Sequence, residues 1–396
     1  MRNLTVFLLL GVIGPPVFSD QLPPPAPVTV AQLVQLLSAS HDLSDEPLAR
    51  AIANRKLTER LSHAGEARLA IALPGKESRL ALLAIADESA FLDPPPSEIP
   101  ALPPPSAADQ TALIHKFVAY AAHAMRELPN FIAKRNTVWF LGTPDAVPPA
   151  LHGALFASAR MPPHGDDRLA TTGSTRSTVF YRNGREAFAS WWYRDQECAH
   201  QLGSNFSGEF GELLGRVASA VTRGTVAWSH WEQSPSGPLA VFSWRTDLTY
   251  QYPDFCPAQS NNQPLHIHAR GEVALDPADG SALRVTEMWR YQATVAPGWP
   301  VFTQETDTAI DYGPQALGGK VYLCPQRSVS IVAYPWIGAQ PEIERLERRF
   351  GLAPGLAADP LVEAVDDITF TGYHVFHATV RILPAGRASP PALPQH

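Results

Sequence analysis

The chain of 396 residues has only three cysteines, Cys198, Cys256 and Cys324. Three thiols allow at most one disulfide within the chain, and the absence of a CxxC pair excludes the usual zinc knuckles. Charge of one sign is lacking too: 31 basic residues face 38 acidic ones, for a formal charge of -7, with no block of either sign. That balance removes the field that nucleic-acid binding or a polybasic membrane anchor requires. No apolar run is long enough to span a bilayer. Catalytic signatures are also missing. There is no Gly-x-Ser-x-Gly elbow, Ser174 sits in a polar stretch, and the segment from Gly208 to Gly215 has neither the GxGxxG spacing nor the Lys-Ser/Thr of a phosphate loop.

What the chain does have is proline, 39 residues of it against an ordinary 26 glycines. This favours stiff extended connections over flexible ones. Residues 1–19 read as a secretory signal, with Arg2 ahead of a short apolar core and small residues at its end. Residues 20–93 read as a small helical domain, with Leu33, Leu36 and Leu37 on one stripe and Leu57, Leu61, Ala64 and Leu69 on another. Two proline triplets in residues 94–106 form a linker that cannot be helical. Residues 107–385 read as a long helix, to about residue 127, followed by strands interrupted by one helix at about 209–221. Strands are expected at 177–182, 225–233, 265–275, 283–295, 306–311, 320–323, 329–334 and 367–382, with Asn183-Gly184 turning a hairpin. Residues 386–396 read as a disordered tail. The expected class is α+β: a helical domain, then a curved antiparallel sheet forming an incomplete barrel with helices against its concave face.

Several residue sets could carry chemistry. His266 and His268 alternate on a strand and share a face, as two metal ligands could, or as an ordinary polar strand face would. Asp366-Asp367 and Asp276 with Asp279 could serve as acid and base or bind calcium, but adjacent strand positions such as Asp366 and Asp367 face apart, and Asp-Pro-x-Asp-Gly is a common hairpin tip, so turn chemistry is the favoured reading. Cys256 and Cys324 each adjoin a proline in the strand-rich half and are the expected disulfide pair in an oxidising compartment. Trp228, Phe242, Trp244, Trp289 and Phe302 fall on successive strands and could line an apolar cavity or fill a core.

The strand half resembles the bacterial lipoprotein-carrier superfamily. The likeness is carried by Asn183-Gly184-Arg185-Glu186, Gly208-Glu209-Phe210-Gly211, the segment from Arg270 to Pro277 followed by Gly280, the segment from Thr308 to Gly313, and the closing Tyr373 to Phe376. Together with Leu57-Thr58-Glu59-Arg60 and the segment from Ala86 to Asp93, the whole chain resembles a family of secreted bacterial proteins with no known activity. The likeness implies a half-barrel around an apolar cavity. The expectation is an exported, periplasmic, non-enzymatic protein that binds a lipid or other apolar ligand, without a cofactor and with an envelope protein as a further partner. Two alternatives remain open: an interaction module with a packed barrel, docking through its sheet edge or residues 94–105, and a metal-dependent hydrolase using His266 and His268.

Overall fold

The computed structural model describes residues 26–142, 169–188, 208–250, 265–293, 302–335 and 361–376. The expected signal peptide and tail lie outside them. The first helices are α1 (Val30–Ala39), α2 (Asp45–Ala53), α3 (His63–Ala70) and α4 (Lys76–Glu88). They close around Leu33, Leu48, Ile52, Leu61, Leu82 and Ile85, the apolar stripes seen in the sequence. Local chemistry sets their starts. Thr29 and Gln32 form a reciprocal capping box on α1. The α4 start is capped from α2 instead, with Asp45 accepting from the backbone N–H of Glu77 at 3.0 Å and of Ser78 at 2.9 Å.

Hydrogen bonding from Ser78 holds the Asp45 carboxyl below its ordinary range. A Cβ at Gly75 would lie 2.1 Å from the same carboxylate. Gly75→Ala therefore displaces the cap, and thermal unfolding should show a melting temperature lower by a few degrees. An unchanged melting temperature would show that Asp45 relocates without loss.

After a 3-10 turn (Pro96–Glu98) the proline segment leads into α5 (Ala107–Glu127), capped by Ser106. The strands are β1 (Phe131–Gly142), β2 (Leu169–Arg182), β3 (Arg185–Phe188), β4 (Thr225–Ser234), β5 (Gly237–Tyr250), β6 (Leu265–Leu275), β7 (Ala282–Ala293), β8 (Phe302–Leu317), β9 (Lys320–Pro335) and β10 (Leu361–Val375). Helix α6 (Glu212–Arg223) precedes β4. Among the described residues these strands form one ten-stranded, antiparallel, curved and unclosed sheet in the order β3-β2-β1-β10-β9-β8-β7-β6-β5-β4. The molecule is α+β. At the β2–β3 turn Asn183 and Gly184 both take positive φ, 53° and 78°, as the hairpin reading requires.

One expected break is absent. Residues 320–323 and 329–334 belong to a single strand, β9, which runs through Pro325. The register slips between Asp311 and Tyr312 opposite it, and a bulge tolerates a residue that donates no ladder hydrogen bond. Pro325 also accepts a hydrogen bond from the Tyr373 hydroxyl.

Helices pack on both faces of the sheet, whereas the sequence suggested one. Helices α5 and α6 cover one face, where Phe117, Leu213 and Val217 meet Phe242, Ile267, Val285 and Ile310. Helix α4 covers part of the other, where Ala84 meets Phe140, Ala309, Val329 and Val365. The helical domain is pinned there by Arg327. Its buried guanidinium lies 2.5 Å from Asp87 of α4 and 2.6 Å from Asp367 of β10, with His63 of α3 at 2.9 Å. Burial works against the charge on Arg327, but Asp87 and Asp367 outweigh it and raise its pKa.

Candidate site between the helical domain and the sheet

Where α4 ends, the chain turns away from the sheet and leaves a cavity of about 460 Å³ against the face opposite α5 and α6. That volume is within the range of small-molecule sites. Ala90, Phe91 and Leu92, together with Asp93, make the wall contributed by the helical domain. The sheet supplies the rest, including Ala227, Ser243, Arg245, Arg270, Glu272, Thr286 and Met288. Two contacts set the distance between the walls: the Arg284 guanidinium donates to the Ala90 carbonyl, and the Arg60 N–H donates to the Asp93 carbonyl at 2.8 Å.

Strand register gathers the charged lining. Arg245 pairs with Arg270 across β5 and β6, and Arg270 pairs with Met288 across β6 and β7. Partners across a ladder share a face, so both guanidiniums and the thioether project to the same side. Ser243 opposite Glu272 occupies the adjacent rung. Arg60 enters from the helical domain and is committed to Glu232, at 2.5 Å. Glu232 is lowered in pKa, since His230 and Arg60 together outweigh its burial. Glu272 is raised, burial prevailing over His230 and Arg60, and it accepts from the Ser229 hydroxyl at 3.2 Å.

The predicted site residues fall mostly elsewhere. Phe242 and Trp244 are buried in the core under α5 and α6, and Trp228 and Trp289 pack against that core. Of the four whose side chains are described, Trp244 alone also borders the cavity. Phe302 starts β8, and its side chain lies outside the described residues. The other four aromatics thus pack against two helices that fill the face expected to be hollow. His266 and His268 do share a face and are exposed; His268 pairs with Asp247 at 2.7 Å. Among the described residues no group of three His, Cys, Asp or Glu side chains could hold a metal ion. Cys324 is a buried thiol; Cys256, its expected disulfide partner, lies outside the described residues. Burial pushes that thiol up to about 12, so it is a poor nucleophile at neutral pH.

Of the aspartates, Asp276 and Asp279 do form a turn, accepting from Ala278 N–H and Ser281 N–H. Asp366 and Asp367 behave as the adjacent strand positions they were read as. They sit within β10 and face apart, Asp367 towards Arg327 and Asp366 into the opposite face. There Asp366 is the end of a buried polar rung that continues through Ser330, Thr308 and Glu287 on successive strands. Arg216 of α6 meets Glu287 at 3.0 Å and lies over the Trp289 ring. Neither this rung nor the arginine pair was visible beforehand. Their members are isolated in the sequence, and only the alternation of each strand hinted at a shared face.

No protein-family model, curated protein or solved structure matches this chain. No helix among the described residues is long and apolar enough to cross a membrane.

Proposed function

We propose that this is an exported protein that binds a small lipid-like molecule, without catalysis, in the cavity between its helical domain and its sheet. The observation that carries the reading is the cavity of about 460 Å³, walled on one side by Phe91 and Leu92 and on the other by Met288. A concavity between two packed units, with apolar groups on its walls and converging polar groups, is a common form of ligand site. Cys324 is buried with a raised pKa, and the exposed His268 is paired with Asp247.

The test is direct. The protein is purified without detergent, exposed to envelope lipids, extracted with organic solvent and analysed by mass spectrometry. A stoichiometric small molecule is expected from the native protein. Ala227 is exposed and borders the cavity, so Ala227→Trp should fill the space and abolish that signal while leaving the melting temperature within about 2 °C. A clean extract from the native protein, or equal loading of the variant, overturns the reading.

A further inference from the structure

The geometry points to a phosphate group as the polar end of the ligand, held between Arg245 and Arg270. This inference rests on the cavity being the binding site. Like charges placed directly opposite each other on neighbouring strands repel, and a sheet has no structural reason to set two arginines there. Arg245 and Arg270 are opposite in register, exposed, and border the cavity. Neither has a hydrogen bond or ion pair with a described residue. The other two arginines of the cavity are engaged, Arg60 with Glu232, and Arg284 with the Ala90 carbonyl and, at 3.9 Å, Asp311.

The acids nearby offset the pair only in part. Glu272 is drawn towards Ser229, His230 and Arg60. Asp307, two strands from Arg270 on the same face, is pushed up to about 6 by burial and by Glu305 against the pull of Arg290 and Arg270, so it is ionised at neutral pH and divides its charge between those two arginines. Asp93 belongs to the facing wall, where its charge opposes an incoming anion and restricts the anion to the sheet side. Two unengaged guanidiniums ask for close to two negative charges on a compact group with several acceptor oxygens. A phosphate monoester carries about -1.5 to -2 at neutral pH and accepts the planar fork of arginine, whereas a carboxylate supplies one charge. Met288, next to Arg270 on the same face, and Phe91 and Leu92 opposite then receive the apolar body.

Calorimetric titration of the full chain with octyl phosphate, octanoate, octyl glucoside and inorganic phosphate, each below its micellar range, tests this. Octyl phosphate should bind at least tenfold more tightly than octanoate. Arg245→Gln with Arg270→Gln should remove that advantage, leave octyl glucoside binding unchanged, and reduce the salt dependence. Equal affinity for octyl phosphate and octanoate, or no response to the double variant, overturns the phosphate assignment while the cavity reading stands. If octyl glucoside and octyl phosphate both fail to bind, the cavity reading itself fails. Inorganic phosphate binding as tightly as octyl phosphate, and lost in the double variant, supports the clamp but assigns it to the free anion, not to a lipid head group.

Discussion

Arg327→Leu is expected to lower the stability of the protein by about 3–5 kcal/mol, the cost of leaving buried charges without their partner. Its side chain is 6% exposed and touches Asp87 and Asp367, with Glu66 at 3.9 Å. Three carboxyls therefore share one guanidinium. Burial, resisted by Arg327, raises Asp87 well above the ordinary carboxylate range. With the cation removed, the acids would repel each other across the boundary between α4 and the sheet. Urea denaturation measures the loss. Limited proteolysis should show residues 26–93 cut before the sheet, because the pin holds the helical domain in place. Asp87→Asn in the Arg327→Leu background should recover part of the loss, as it removes one uncompensated charge. A change below about 1 kcal/mol for Arg327→Leu would mean that apolar contacts of α4 alone hold the two units together.

A second large effect concerns pH. Glu186 of β3 accepts from the N–H of Gly208 at 3.0 Å and of Phe210 at 2.7 Å, fastening the hairpin to the approach of α6. Glu209 beside it is buried and lies 3.3 Å from Arg135. Two carboxyls thus face one cation, and one proton shared between them balances the charge. Burial, and next the charge of Glu209, push Glu186 up to about 8. A folded-state pKa above the unfolded one means that the folded chain holds its proton more tightly. The stability contributed by that proton is complete below about 4.5, the unfolded value, and is lost as pH rises through about 8.

Urea midpoints should therefore fall across that window, by at most about 1.4 kcal/mol per pH unit for one proton. Glu209→Gln should flatten the profile. Its amide can donate to Glu186 at every pH, and its carbonyl can accept from Arg135. An identical slope in the native and Glu209→Gln proteins would show that the pair does not titrate as a unit.

How much of this was legible beforehand depends on whether the signal is local. The α5 helix follows from an apolar stripe between a proline segment and Leu128-Pro129, and the β2–β3 hairpin from two residues that tolerate positive φ. Strand β6 was read at its observed bounds because small or apolar residues alternate with polar ones from Leu265 to Val273 and the Asp276-Pro277 turn follows Leu275. Strand β9 was read as two pieces because a proline is a local stop, and only the bulge opposite explains its continuation. The aromatics were rightly placed on strands, but their alternation cannot say whether the face they point to is empty or covered by α5 and α6.

By itself, then, the sequence determined the α+β class, the helical domain, the proline segment and most strand positions, since propensity, capping and periodicity act over a few residues. The tertiary structure alone decided that helices cover both faces, that Arg327 is shared by three elements, and that Arg245 stands opposite Arg270. Those depend on register and on packing between segments as far apart as Asp87 and Arg327. A single strand pattern carries no information about which residue lies 5 Å away on the next strand.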